Sequence, residues 1–372
     1  MRARRTDVAT ERNEPGVPGD TAAEPATRRD TSATTGLART AGAEPGADPS
    51  APESPADLSK PSLVATVKRS AKQFRSDNLT DLAAALTYYA VLAIVPGLIV
   101  LFSLLGLLGP SAADELARQA EQLAPGSSAD FVHTLITQAQ ENQRSAGLGA
   151  ILGLAVALWS ASGFVAAFMR ASNVVYGIPE GRPIWKTAPI RLGVTLVSVL
   201  LLVVSAVIVV ASGPVAQQLG DLLGVGDTAV TIWNIAKWPV LFVVVTVLLA
   251  ILFWASPNAE QGGVKWISPG GVVAVVIWVL ISALFAVYIA NFSSYDETYG
   301  SLAGVVIFLV WLWLTNIALL LGAEINAELD HARAIAAGLP DNVEPFAEPR
   351  DTRTFDESEK EAVRSAQSLR RD

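Results

Sequence analysis

The chain has 372 residues, 51% of them hydrophobic and 17% charged, with a formal net charge of −8 and a mean hydropathy of +0.40. A soluble domain carries about a quarter charged residues to cover its surface, and a nucleic-acid binder has a basic footprint; neither description fits. With no cysteine and only His133 and His331, disulfides, thiolate metal sites and histidine clusters are excluded, and no metal or other cofactor is expected.

Residues 1–60 hold almost no large apolar side chains. Such a stretch buries too little apolar surface to offset its conformational entropy and reads as a disordered tail. It lacks the apolar core of a signal peptide, so the first span is expected to direct insertion. PSLVATVKRSAKQFRS at 61–76 then sets Val64, Val67, Ala71 and Phe74 on one helical face and its Lys and Arg residues on the other. That is the pattern of an interfacial helix lying on an anionic leaflet.

Six apolar runs follow, at about 82–109, 147–169, 190–213, 237–255, 270–292 and 302–325. Each has the length for a helix to cross a ~30 Å hydrocarbon layer, and continuous runs exclude the alternating strands of a membrane barrel. The fold class is therefore an all-α, polytopic bundle of six transmembrane helices over 61–335. SAADELARQAEQLAPGSSADFVHTLITQAQENQ at 111–143 reads as a short helical pair in the first outer loop, broken at Pro125–Gly126. Residues 336–372 read as a second disordered tail, with a short helix around Glu357–Leu369.

Basic residues in short loops set the orientation. Lys68, Arg69, Lys72 and Arg75 precede the first span, and Arg182, Lys186 and Arg191 lie between the second and third, whereas the alternate loops are acidic. Both termini are expected in the cytoplasm, with the chain in a bacterial inner membrane. Trp159, Trp278, Trp311 and Trp313 fall deep in the spans and read as packing residues.

Polar residues at apolar depth are costly unless partnered, so they are the candidates for function. Span two places Ser162, Ala166, Arg170, Asn173 and Gly177 on one face by i, i+3/i+4 spacing, and span six does the same with Asn316, Leu320, Glu324 and Glu328. Arg170 and Glu324 are expected to approach each other near the cytoplasmic ends of their helices, or else to snorkel to water. Span one carries Tyr88 and Tyr89, which read equally as packing residues or as a cavity lining. Between spans five and six, NFSSYDETYGSLAG at 291–304 must turn the chain within a few residues, with Gly300 permitting positive φ and Ser301 capping the next helix. Tyr295, Asp296 and Glu297 are either part of a rigid corner or an outer gate.

The stretches DLAAALTYYAVLAIVPGLIVL at 81–101, WSASGFVAAFMRASNVVYGI at 159–178, LFWASPN at 252–258 and the long run at 268–329 together resemble the YihY/virulence factor BrkB family of bacterial inner-membrane proteins. The resemblance covers roughly residues 66–332 and implies a six-span helical protein of unsettled activity. Members were once labelled tRNA-processing ribonuclease BN. This sequence offers no metal or acid–base constellation beside a basic RNA track, and no phosphate loop, HExxH or GxSxG motif, so the label is not carried over and no enzyme is expected. Two readings remain. One is a transporter or lipid-handling protein in which Tyr88, Tyr89, Arg170, Asn173, Asn316 and Glu324 line or gate a cavity for an amphiphilic or anionic substrate. The other is a structural or envelope-assembly membrane protein, its polar residues serving helix packing and its tails binding partners. Membrane lipids are the expected surroundings in both, nucleic acid is not a partner, and a polar cavity joining Tyr88 to Arg170 would separate them.

Overall fold

The computed structural model describes residues 54–106, 148–211, 227–291 and 303–369, with residues 52, 118, 134 and 217 besides. Apart from residues 118 and 134, the paired helices expected over 111–143 lie outside these residues, as do the corner with Tyr295, Asp296 and Glu297 and nearly all of the N-terminal tail.

After a single 3-10 turn at Pro55–Asp57, helix α1 (Lys60–Ser76) begins where the Ser59 hydroxyl accepts a hydrogen bond from the Ser62 amide, an N-cap with proline just inside the helix. Asn78, at φ 50, breaks it from α2 (Leu79–Gly106); asparagine tolerates this left-handed geometry better than most residues. Helix α2 runs on through Pro96, and α3 (Leu148–Val175), α4 (Ile184–Val210), α5 (Asp227–Ala255), α6 (Val264–Asn291) and α7 (Ala303–Ala336) complete the long helices. A short α8 (Glu357–Leu369) closes the described chain.

Four of these helices, within Ile184–Val209, Thr228–Ala255, Pro269–Ile289 and Ala303–Ala336, are long and apolar enough to cross a membrane. Their outer faces carry large apolar side chains exposed to the surroundings, among them Leu200, Val243, Leu280, Leu284 and Val287. Water would not sustain so broad an apolar surface on a monomer. Among the described residues there is no strand, only one isolated bridge between Ala259 and Pro349.

Helices α6 and α7 pack along most of their length, as do α2 and α3, and α7 also touches α1 and α2. Small residues explain the α6–α7 contact. A Cβ on Gly322 would meet Ala274 Cβ and the Gly270 carbonyl at 2.6 Å, so only glycine lets the backbones approach this closely. The Gly270 amide donates to Asn326 Oδ1 at 2.8 Å in the same contact.

Helix α1 has two faces. Thr66 and Ser70 are buried, and Arg69 Nε donates to Glu328 Oε2 at 2.6 Å, tying α1 to α7. Leu63, Val64 and Val67 point outward beside the lysines. The face that docks on the protein carries Thr66, Arg69 and Ser70 together with Phe74, which packs on the core and not beside Val64 and Val67.

The expected disorder of 336–372 is corrected over residues 337–369. Leu339, Phe346, Ala347, Phe355 and Ala366 are buried, and the segment joins the core formed by α2, α3 and α5. Its few apolar side chains suffice because they complete a core built by the long helices. Helix α8 lies where expected, started by Asp356, whose Oδ1 accepts from the Glu359 amide while Glu359 Oε2 accepts from the Asp356 amide, a reciprocal capping box.

Candidate functional site

The ends of α3 and α5 and the starts of α4 and α6 meet at one end of the bundle, and backbone groups left free at helix ends must find partners there. Asn258, fully buried just after α5, supplies several. Its Nδ2 donates to the carbonyls of Pro179 (3.1 Å) and Asp351 (2.8 Å), and its Oδ1 accepts from the Asp351 amide (3.1 Å). Its own amide donates to Asn173 Oδ1 at 2.7 Å, and its carbonyl accepts from the Arg350 amide at 2.9 Å. One residue thus joins the α3–α4 link, the end of α5 and the C-terminal segment.

Arg182 forms the second half of this clasp. It grips Glu180 with Nε and Nη2 at 2.7 and 2.8 Å, and the same Nη2 donates to the Ser256 carbonyl at 2.7 Å. A guanidinium at the C-terminal end of α5 also suits the negative pole of that helix. Burial alone would raise the Glu180 carboxyl, but the hydrogen bonds and charge of Arg182 prevail and hold it below the ordinary glutamate value. Lys186 Nζ reaches Asp351 Oδ2 at 2.7 Å, and that hydrogen bond holds the Asp351 carboxyl below its usual value. Gly181 is required beside it, since a Cβ there would run into the Asp351 carbonyl. Next to the clasp, Tyr176 donates to Asp330 Oδ2 and accepts from Gln261 Nε2, both at 3.1 Å.

The residues singled out from sequence separate into different places. Asn173 belongs to the clasp, its Nδ2 donating to Glu180 Oε2 at 3.1 Å. Asn316 donates to Thr87 Oγ1 at 3.0 Å, pinning α7 to α2. The Asn316, Leu320, Glu324, Glu328 row faces inward throughout. Glu324 is fully buried, and among the described residues neither carboxyl oxygen has a hydrogen-bond partner; its charged neighbours there are the acids Glu328 and Asp77.

The expected Arg170–Glu324 pair is not formed. Arg170 is exposed, its guanidinium lying 5.8 Å from the centre of the Tyr89 ring, which meets Tyr88 edge-on at 5.5 Å. The physical reason is the pitch of α3: Ser162 and Asn173 turn inward, while Arg170 falls on the boundary and reaches outward. Trp159, expected as a packing residue, is 75% exposed.

The open space lies elsewhere. Helix α2 packs broadly on α3, and α4 on α5, but α2 and α4 barely touch. In that gap is a cavity of about 450 Å³ lined by Ala93, Gly97 and Leu98 of α2, Leu158, Ala161 and Phe164 of α3, Thr195, Ser198 and Leu202 of α4, and Leu248 and Leu252 of α5, among others. Its volume falls within the ~300–1,000 Å³ of ligand pockets. Thr195 and Ser198 are its polar side chains, and Thr195 spends its hydroxyl on the Arg191 carbonyl at 2.7 Å. None of Tyr88, Tyr89, Arg170, Asn173, Asn316 and Glu324 lines it. Among the described residues no three of His, Cys, Asp and Glu are grouped to hold a metal ion. Sequence reasoning missed Asn258, Asp351 and the cleft itself. The run WASPN at 254–258 marked the first as a helix end rich in turn residues, and small residues at Ala90, Ala93 and Gly97 mark the cleft only in retrospect.

Residues 70–344, from within α1 to just beyond α7, match the family described as Virulence factor BrkB. The ribonuclease-like protein YfkH of Bacillus subtilis is 31% identical over 66% of this chain and 88% of its own length. A UPF0761 membrane protein of Rhodospirillum centenum is 31% identical over 74% of this chain, which spans only 59% of that relative. Another, from Aeromonas salmonicida, is 28% identical over 68% of this chain and 85% of its own. No solved structure matches the chain. A matched region that runs through all the long helices, four of them able to cross a bilayer, makes this chain a multi-pass membrane protein belonging to the virulence factor BrkB family.

Proposed function

We propose that this chain is a bacterial inner-membrane protein that takes up a lipid or similar amphiphile, with α2 to α7 as six spans and both termini in the cytoplasm. The observation that carries the reading is the apolar cleft of about 450 Å³ among α2, α3, α4 and α5. A hydrocarbon chain needs such a lining, whereas an ion or a polar solute needs convergent polar groups. The clasped end carries Lys186, Arg191, Arg350 and the lysines of α1, which supports a cytoplasmic facing. With its Arg69 face docked on α7 and Val64 and Val67 outward, α1 suits an anionic leaflet.

A structural role without transport is the second reading. Asn316 and Asn173 favour it, because both spend their side chains on contacts between elements. Neither reading makes the chain an enzyme, and the name of the Bacillus relative is not extended to it.

Reconstitution separates the two. Vesicles containing the protein should move a fluorescent phospholipid analogue between leaflets, or exchange it, faster than protein-free vesicles. Gly97→Phe, which fills open space beside the cleft, should abolish the gain. Equal rates with and without protein would favour the structural role.

A further inference from the structure

The cleft has one cationic edge. On α4, Arg191 continues the row Thr195, Ser198 and Leu202 one turn toward the clasped end, by the same four-three-four spacing that turns those residues into the cleft. Its guanidinium lies 6.0 Å from the centre of the Trp159 ring, and Trp159 follows the cleft-lining Leu158 on α3. Among the described residues Arg191 forms no ion pair; the indole face is its partner. A guanidinium stacked on a ring keeps its in-plane N–H groups available, and their fork matches two oxygens of a phosphate or carboxylate. The neighbouring cations are differently engaged: Lys186 is held by Asp351 and Arg170 lies over Tyr89.

We infer that the cleft receives one acyl chain of an anionic amphiphile, whose phosphate or carboxylate headgroup is bound by Arg191 against the face of Trp159. The chain would lie along Leu202, Gly97 and Leu158, away from the clasp, with the headgroup at the level of Arg191. This rests on the reading of the cleft as an amphiphile site and adds a preference for charge to it.

The test uses the full-length protein in phosphatidylcholine nanodiscs and three photoreactive probes carrying the same palmitoyl chain: lysophosphatidic acid, the free fatty acid at alkaline pH, and neutral monoacylglycerol. Cross-linked peptides are mapped by mass spectrometry. Labels from all three should fall on the cleft-lining parts of α2, α3 and α4, and the anionic probes should label them about ten-fold more strongly, the scale of one charge-assisted hydrogen-bonded pair. Arg191→Gln should reduce the anionic probes to the level of monoacylglycerol and leave monoacylglycerol unchanged, while Arg191→Lys should keep part of the preference. Thermal unfolding of each variant shows that it is folded. A preference confined to lysophosphatidic acid or to the fatty acid identifies the headgroup as phosphate or carboxylate. Equal labelling of the cleft by charged and neutral probes, unchanged in Arg191→Gln, overturns the inference and leaves the cleft reading intact. Labelling by any probe that avoids the cleft overturns both.

Discussion

Asn258→Ala removes three side-chain hydrogen bonds, to the Pro179 carbonyl and to both backbone groups of Asp351. Each neutral bond of this kind contributes about 1 kcal/mol net, and more where the abandoned partner stays buried. The variant should therefore loosen the docked segment around Asp351 by about 3 kcal/mol, or roughly a hundred-fold in its opening equilibrium at ~1.4 kcal/mol per factor of ten. The long helices lose no contact of comparable size, so opening should be local, as sub-global unfolding commonly is. Hydrogen exchange followed by mass spectrometry, in detergent micelles, reads this directly. Peptides spanning 345–356 should exchange about two orders of magnitude faster, while peptides from α6 and α7 keep the wild-type rate. Exchange in 345–356 within about three-fold of wild type, in a folded variant, would refute the idea that Asn258 holds the segment.

Other outcomes follow from single contacts. Gly322→Ala should destabilise the protein by about 1–3 kcal/mol, as overpacking does, whereas Gly193→Ala, inside α4 with nothing within 4 Å of the added methyl, should hold or raise the melting temperature, since alanine is the better helix former; equal effects would refute the close-approach account of α6 and α7. Glu324→Gln gives up no hydrogen bond or ion pair among the described residues, so its melting temperature should equal or exceed that of wild type, and a clear fall would show that Glu324 has a partner. Because the Asp351 and Glu180 carboxyls sit below their ordinary values, their contribution to the clasp is complete above the unfolded values of ~4 and is lost as pH falls through the lowered ones. Limited proteolysis should find the C-terminal segment protected at about pH 5 to 7 and cleaved well below ~4; release on going from about pH 7 to 5 would contradict that sign. Reporter fusions after Pro110 and after Ser256 should report outside and inside respectively, and the reverse would overturn the orientation.

Much of the architecture was legible because apolar length and helical pitch are direct consequences of composition and spacing. The row Asn316, Leu320, Glu324, Glu328 could be read as one inward face at four-residue intervals, and all four are buried. The same logic failed one turn from the end of α3: a face tolerates a long side chain at its edge, and Arg170 swings out to Tyr89. The C-terminal segment looked too polar to fold because a core was sought within it. Its stability comes from outside, through Asn258, Lys186 and the pockets that receive Phe346 and Phe355. The cleft was illegible for another reason. A void between α2 and α4 is made by what small side chains leave empty, and no residue type announces it.

The central claim is that the gap among α2, α3, α4 and α5 is a binding place for a hydrocarbon chain. An experimental density map of the wild-type protein in lipid nanodiscs, compared with Leu202→Trp, tests it most directly. The account predicts an elongated, chain-like density running past Gly97, Leu158 and Leu202 in the wild type, ending near Arg191 and absent from the variant. A wild-type map in which α2 and α4 close on each other, or in which the gap holds no density beyond the protein, would contradict it.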